Sequence, residues 1–237
     1  MNPSIKSRIG QLEWARIDRE LEANGYALTG RILAPGECAA LIALYPERQR
    51  FRSRVDMARL RYGAGEYKYF ARPLPKIVEE MRATLYPRLA PIANRWNRVL
   101  DDKEPYPPSL SEFLKICGEH DQSRPTPLLL RYEAGGYNFL HQDLYGDLAF
   151  PLQFTCVLSR RERDFEGGEF LLVEQRPRAQ SRGEAISMDQ GEGIIFTNRY
   201  RPIRGERGYY RVNVRHGVST LRVGQRYSLG IIFHDAR

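Results

Sequence analysis

The sequence predicts a mainly β protein: a double-stranded β-helix, or jelly roll, with N-terminal helices packed on one of its sheets. Between residues 126 and 237, six short runs are apolar or alternate between apolar and polar side chains, which is typical of strands. They cover residues 128–132, 152–158, 169–173, 193–197, 210–214 and 227–233. Glycine-containing turns separate the runs, and a double-sheet jelly roll accommodates this number of short strands.

The chain before residue 126 shows mostly helical periodicity. We expect helices over residues 9–23, from Pro35 to near Pro46, over 75–100 and over 109–119, with a short strand at 26–28. Pro87 and Pro91 should kink or split the long helix. The glycine- and tyrosine-rich run 62–70 is either an ordinary loop that covers the core edge, which we favour, or a lid over a substrate.

The chain is basic, with 37 Lys and Arg against 29 Asp and Glu and a net charge of +8. This balance favours an anionic partner such as nucleic acid, although an arginine-rich composition also follows from a GC-rich genome. The three cysteines are far apart and are expected to be free thiols in a reducing cytoplasm. No run approaches 18 apolar residues, so we expect neither a membrane segment nor export.

A histidine and a carboxylate stand two residues apart at His141 and Asp143. On an extended segment both side chains point to the same side, so they can bind one ion together. His216 is a third candidate ligand. Two histidines and one carboxylate with open positions are the pattern of a non-haem Fe(II) site. The alternative is a surface histidine near a solvated aspartate.

Arg226 and Ser228 follow ten residues after His216. Period-two spacing places the guanidinium and the hydroxyl on one strand face. A guanidinium matches a carboxylate with two parallel hydrogen bonds. This pair therefore predicts a carboxylate-binding pocket near the metal, the alternative being a salt bridge on an exposed strand.

Together, the His-x-Asp pair, the distal histidine and the Arg-x-Ser pair resemble the signature of the Fe(II)/2-oxoglutarate-dependent dioxygenase superfamily. The segment 165–170 is similar to a hairpin of prolyl-hydroxylase-type members. Narrower phrases resemble a bacterial family of nucleic-acid oxygenases related to AlkB-type dealkylases, namely 141–146, 175–178, 208–213 and 229–236. The pattern departs from AlkB-type dealkylases at Ile232, where they carry a second arginine, and at Leu130, where they tend to carry an asparagine.

The resemblance implies a cofactor, two cosubstrates and a role for each site residue. His141, Asp143 and His216 would hold Fe(II), with 2-oxoglutarate and O2 as cosubstrates. Arg226 would pair with the distal carboxylate of 2-oxoglutarate, and Ser228 and Tyr132 would assist by hydrogen bonds. The reaction would couple oxidative decarboxylation of 2-oxoglutarate to oxidation of a C–H bond. We therefore expect residues 1–125 to form a helical support and lid region, and 126–237 the jelly-roll catalytic core, in one integrated domain.

The primary substrate has three interpretations. The enzyme oxidises alkylated bases in DNA or RNA as a repair reaction, it hydroxylates a protein side chain in the manner of a prolyl hydroxylase, or the scaffold is a catalytically silent binding domain. The first interpretation predicts contacts with single-stranded or damaged nucleic acid. Arginines of the segments 176–182 and 199–207 would then line the entrance, and the second segment adds Tyr200 to stack on a base. The candidate substrate residues are Arg178, Arg201 and Arg204 of these segments, and Tyr67 of the run 62–70.

Overall fold

A computed structural model describes residues 3–101 and 105–237. The helices are α1 (Ile5–Gly10), α2 (Trp14–Asn24), α3 (Pro35–Ala43), α4 (Lys76–Val99) and α5 (Leu110–Glu119). The strands are β1 (Tyr26–Arg31), β2 (Phe51–Asp56), β3 (Gly63–Ala64), β4 (Glu66–Phe70), β5 (Leu128–Glu133), β6 (Tyr137–His141), β7 (Leu152–Val157), β8 (Phe165–Gly167), β9 (Phe170–Gln175), β10 (Arg182–Ile186), β11 (Glu192–Thr197), β12 (Tyr200–Gly205), β13 (Gly208–Val218) and β14 (Leu221–Ile231).

The strands form two antiparallel sheets. The eight-stranded sheet has the order β1-β11-β7-β14-β5-β4-β2, and β8 pairs with β14. The six-stranded sheet has the order β10-β9-β13-β6-β3, and β12 pairs with β13. All six predicted strand runs are present, so the jelly-roll prediction is confirmed.

The eight-stranded sheet buries apolar side chains on both of its faces, because side chains along a strand alternate between the two faces. One buried cluster contains Val157, Phe170, Phe196 and Val214, which come from both sheets. A larger cluster joins the outer face of the eight-stranded sheet to the helices, and its members include Leu21, Leu85, Trp96, Leu129 and Leu229. The N-terminal helices therefore pack on one sheet, as expected from the sequence.

The region before residue 126 also contributes strands to both sheets. Strand β1 pairs with β11, β4 pairs with β5, and β3 pairs with β6. The expectation of a loop at 62–70 is thus wrong, because most of this run forms β3 and β4. The tyrosines of β4, at positions 67 and 69, share one face, as period-two alternation requires.

Two helices differ from their predicted bounds. The predicted helix 9–23 is divided, with α1 ending at Gly10 and α2 beginning at Trp14. Helix α4 is continuous over 24 residues and is not split at Pro87 or Pro91. Both prolines are exposed, and so is Ala83, one turn before Pro87. The carbonyl groups that receive no hydrogen bond from these prolines therefore lie on the solvent side of the helix, where water donates to them.

Cys38, Cys117 and Cys156 are buried free thiols. Within the described ranges, no helix combines the length and apolar character needed to cross a membrane.

Candidate metal centre

Strand pairing brings the two candidate histidines together. His141 is the last residue of β6, and it lies directly opposite His216 on β13. Their ring centroids are 4.3 Å apart. Asp143 follows the end of β6, with Oδ1 3.5 Å from His141 Nε2 and Oδ2 3.3 Å from His216 Nε2. One potential ligand atom from each residue lies within 4.8 Å of the others.

This donor set fits a divalent transition metal. Two metal ligands on one edge of an octahedron with bonds of about 2.1 Å are roughly 3 Å apart, close to both distances around Asp143. Two imidazoles and one carboxylate suit Fe(II), and three ligands on one side of an ion leave other positions free for small molecules.

Neighbouring groups fix the orientation of the ligands. His141 Nδ1 lies 2.7 Å from the Phe139 carbonyl oxygen, so this nitrogen carries the proton and Nε2 keeps its lone pair. The Tyr145 hydroxyl donates to Asp143 Oδ1 at 2.7 Å, which leaves Oδ2 for the metal. The backbone N–H of Asp143 donates to Asn198 Oδ1 at 2.8 Å. Asp143 is thus held through both its backbone and its side-chain carboxylate.

The ionisation states of Asp143 and His216 also suit metal binding, which requires neutral imidazoles and an ionised carboxylate. Burial alone would raise the pKa of Asp143, but hydrogen bonds with both histidines outweigh it and hold this pKa well below its ordinary value. Burial and the neighbouring His141 ring lower the pKa of His216. The protein therefore holds Asp143 as an anion and favours the neutral form of His216.

The triad opens into a cavity of about 540 Å³, and Arg226 lies in the wall contributed by β14. Only 2% of Arg226 is exposed, and its guanidinium carbon lies 5.9 Å from the ring centroids of both Tyr132 and Phe165. Nη1 is 3.3 Å from Ser228 Oγ, whereas Nε is buried without a hydrogen-bond partner. The buried Tyr132 hydroxyl is also unpartnered.

This arrangement fits an anionic ligand. Burial lowers the pKa of Arg226, but a guanidinium stays charged in proteins. A buried cation without a carboxylate is costly unless a ligand supplies the counter-charge. Within the described residues, no carboxylate lies within 4.0 Å of Arg226. The cavity therefore combines a metal-ligand set with a site for a carboxylate, which are the two features that 2-oxoglutarate needs.

Most of the predicted site residues face this one cavity. They are Tyr67, Tyr132, His141, Asp143, His216, Arg226 and Ser228.

The predicted arginine loops do not line the cavity. Arg201 is only 3% exposed, its Nη2 lies 2.6 Å from Glu174, and its Nη1 donates to the Glu22 carbonyl at 2.7 Å. Arg201 is therefore a structural ion-pair residue, and its assignment to the entrance is wrong. Arg204 is exposed and pairs in register with Tyr209. Tyr209 is seven residues from His216 on β13, which is about 23 Å at roughly 3.3 Å per residue. Arg178 is also exposed and does not reach the cavity.

Sequence reasoning missed three residues of the site. Tyr145 continues the period-two series of His141 and Asp143, so the spacing alone could have identified it. Asn198 and Gln153 carry no comparable signal in the sequence. Asn198 binds the backbone of Asp143 from the turn after β11, and the buried amide Nε2 of Gln153 lines the cavity without a hydrogen-bond partner.

The histidine–aspartate pair near the C-terminus, His234 and Asp235, is structural. Phe150 N–H donates to His234 Nδ1 at 3.1 Å, and Asp235 accepts from Arg82 of α4 at 2.7 Å. Both residues are buried outside the cavity lining and tie the C-terminal segment to the helices.

Comparison with known proteins identifies the family. Residues 65–236 match the model of Oxygenase-NA, described as an oxygenase that catalyses oxidative methylation of damaged DNA. The chain belongs to this family. Two uncharacterized proteins of Mycobacterium tuberculosis, from strains CDC 1551 / Oshkosh and ATCC 25618 / H37Rv, are each 52% identical over 167 residues. Those matches cover 70% of this chain and 72% of each relative.

Solved structures share the fold. An oxidoreductase of the 2OG-Fe(II) oxygenase family from Burkholderia pseudomallei has a TM-score of 0.56 at 14% identity, covering 95% of this chain and 94% of that one. A Pseudomonas putida prolyl-4-hydroxylase has a TM-score of 0.52 at 14% identity, covering 94% and 99%. The family match confirms the resemblance to nucleic-acid oxygenases and the expectation of an oxygenase enzyme. The solved structures confirm the fold, and the grouped His141, Asp143 and His216 fit the predicted Fe(II) site.

Proposed function

We propose that the protein is an Fe(II)- and 2-oxoglutarate-dependent dioxygenase that oxidises alkylated bases in DNA or RNA, in a cytoplasmic repair reaction. The main support is that the triad of His141, Asp143 and His216 and the unpaired buried Arg226 face one cavity. Fe(II), 2-oxoglutarate and O2 bound there would supply oxidation of a C–H bond, coupled to decarboxylation to succinate and CO2.

The chain's own residues hold and orient these reactants. His141, Asp143 and His216 would bind the metal, and the Tyr145 hydroxyl donates to Asp143 Oδ1, which would leave Oδ2 as the ligand atom. Arg226 would bind the distal carboxylate of 2-oxoglutarate, which fixes that molecule's orientation across the cavity. The surrounding apolar side chains exclude water and strengthen this ion pair.

Aromatic side chains favour a flat substrate such as a nucleobase. Tyr67 lines the cavity, and its ring contacts Tyr69, with centroids 5.4 Å apart. Tyr69 contacts Tyr145 in turn, at 6.0 Å, so the aromatic wall reaches the residue that holds Asp143. At the mouth, Tyr62 is 50% exposed and Phe139 is 53% exposed. Exposed aromatic faces of this kind stack on bases of any sequence. The family description, which names damaged DNA, supports the same substrate class.

The alternative is hydroxylation of a protein side chain. Several solved structures with this fold are prolyl hydroxylases, including one from Trichoplax adhaerens in complex with a peptide fragment (TM-score 0.54, 13% identity). Leu140 and Leu144 are exposed apolar residues that line the cavity, where they could contact a peptide as well as a base.

Succinate release distinguishes the two substrates. The protein with Fe(II) and 2-oxoglutarate is incubated with a methylated single-stranded oligonucleotide, with the same oligonucleotide unmethylated, or with a proline-containing peptide. We expect only the methylated oligonucleotide to stimulate succinate release above the rate without substrate. Stimulation by the peptide alone would favour the protein-hydroxylase alternative.

A further inference from the structure

Strand β2 and its flanking residues are dense in arginine. Six arginines occur between residues 48 and 61, at Arg48, Arg50, Arg52, Arg54, Arg59 and Arg61. Strand β2 is the last strand of the eight-stranded sheet, and β4 is its paired neighbour. Its other edge has no paired strand in the described part of the chain. Arg54 contacts Glu66 on one face of the sheet, whereas Arg52 lies over Tyr69 on the opposite face.

Half of these arginines are neutralised within the protein. Arg50, Arg54 and Arg59 form ion pairs with Glu47, Glu66 and Asp56, respectively. In the described parts of the chain, Arg48, Arg52 and Arg61 have no carboxylate within 4.0 Å. Arg52 is instead held by the Pro125 carbonyl at 2.8 Å and lies 4.5 Å from the centroid of the Tyr69 ring. The exposed Arg48 and Arg61 are thus available for an anion, and the half-buried Arg52 keeps its two terminal nitrogens for one.

A groove beside β2 concentrates this charge. It has a volume of about 430 Å³, and its cationic lining residues are Arg48, Arg52, Arg54, Lys68 and Arg131. The carboxylate of Glu66 also lines the groove. Glu66 is buried, and it is occupied by Arg54 and by the Tyr45 hydroxyl at 2.7 Å. Lys68 also pairs with Glu66, and Arg131 pairs with Glu133. The groove therefore has a net positive charge, as expected of a site for phosphate groups. It lies on the face of the sheet opposite to Tyr67 and Tyr69, because side chains alternate along β4.

The other end of the arginine series reaches the catalytic cavity. After β2, the chain makes a tight turn in which Tyr62 N–H donates to the Met57 carbonyl at 2.9 Å. Arg61 has the left-handed backbone conformation, with φ 58°, which is uncommon for an arginine and often marks a functional position. Both Arg61 and Tyr62 line the mouth of the cavity. From Arg52 to Asp56 the edge spans about 13 Å, the rise of roughly four stacked nucleotides.

We propose that this edge, which we call the arginine edge (Arg48, Arg52 and Arg61), binds the phosphodiester backbone of a single-stranded nucleic acid. The nucleic-acid backbone passes from the groove around the free edge of β2 to the cavity mouth, where Tyr62 stacks on a base beside the one that enters. This inference rests on the proposed nucleic-acid substrate and names the surface that binds it. It replaces the arginine loops predicted from sequence, whose members lie away from the cavity or are buried.

The test compares two double variants that remove the same charge. Arg48→Gln/Arg61→Gln changes the arginine edge, and Arg178→Gln/Arg204→Gln changes two exposed arginines that lie outside the cavity lining. Binding of a fluorescent single-stranded oligonucleotide is measured against salt concentration. Each phosphate contact on a single strand contributes about −0.7 to the slope of log affinity against log salt, so three contacts give about −2. We expect the edge variant to flatten the slope by about 1.4, whereas the control variant keeps the wild-type slope.

Three other outcomes would contradict the arginine edge or the proposed function. If both variants keep the wild-type slope, or if both flatten it equally, the arginine edge is overturned while a nucleic-acid substrate remains possible. If the wild-type protein shows no salt-dependent binding and no stimulation by methylated oligonucleotide, the proposed function itself fails. Circular dichroism spectra and urea unfolding, which should agree among the three proteins, confirm that each variant is folded.

Discussion

Replacing Arg226 by methionine should have opposite effects on stability and on ligand binding. Arg226 is a buried cation with an unpartnered Nε and no carboxylate nearby in the described structure. An unsatisfied buried polar group costs about 1–3 kcal/mol, and methionine fills a similar volume without charge. We therefore expect the ligand-free Arg226→Met variant to be more stable than the wild type, on the order of 1–3 kcal/mol.

The same substitution should weaken binding of 2-oxoglutarate. A charge-assisted, two-point pair between the guanidinium and a carboxylate in a partly dry pocket contributes about 2–3 kcal/mol. At about 1.4 kcal/mol per tenfold, this corresponds to roughly 30- to 150-fold in affinity. The wild-type protein should gain thermal stability from saturating 2-oxoglutarate with Fe(II) under anaerobic conditions, whereas the variant should gain much less.

Two measurements and one control complete this test. Urea unfolding of the metal-free proteins gives the free energy of unfolding, and titration with 2-oxoglutarate in the presence of Fe(II) gives the affinity. Arg222→Met is the control, because the Arg222 side chain is 63% exposed and lies 4.0 Å from Glu169. It should change neither quantity appreciably. An Arg226→Met variant that binds 2-oxoglutarate as tightly as the wild type would refute the assigned role of Arg226.

Two further substitutions test the supporting contacts. Tyr145→Phe removes the hydroxyl that donates to Asp143 Oδ1 but keeps the ring, so Fe(II) affinity measured by titration should fall about 10- to 100-fold; unchanged affinity would show that this hydrogen bond does not position the ligand. His234→Gln tests pH dependence. Burial, with a smaller contribution from Arg82, lowers the pKa of His234 from 6.5 to about 4. Because this folded-state pKa is depressed, the stability that neutral His234 contributes is complete above pH 6.5 and is lost as the pH falls towards 4. At pH 5 that loss is about 2 kcal/mol. Urea unfolding at pH 7 and pH 5 should show this loss in the wild type but not in the variant, and equal losses would contradict the assignment.

The grouping of the candidate metal ligands could be predicted from sequence because their arrangement is partly local. The two-residue spacing of His141 and Asp143 fixes their common direction on any extended segment. The same spacing relates Arg226 to Ser228. His216 is distant in sequence, and its inclusion depended on the resemblance to a known family. The structure supplies the physical reason, which is that β6 and β13 pair in a register that sets His216 opposite His141.

Contacts between distant residues explain what the sequence could not predict. Arg201 and Arg204 are both arginines of strand β12. Arg201, however, is buried against Glu174, which lies 27 residues earlier. No local pattern distinguishes the two. Strand β3 is only two residues long, so periodicity carries no signal for it. The dense arginines near β2 were visible in the sequence, but their position beside the cavity depends on the pairing of β3 with β6.

The most direct test of the central claim is mass analysis of a methylated oligonucleotide after incubation with the enzyme, Fe(II), 2-oxoglutarate and O2, with succinate counted in the same sample. The account predicts that the wild-type protein removes methyl groups and forms one succinate for each base restored. Asp143→Ala, which removes one of the three metal ligands, should do neither, although its circular dichroism spectrum stays that of the wild type. Demethylation by Asp143→Ala at the wild-type rate, or methylated oligonucleotide that stimulates succinate release by the wild-type protein without any change in the base, would contradict it.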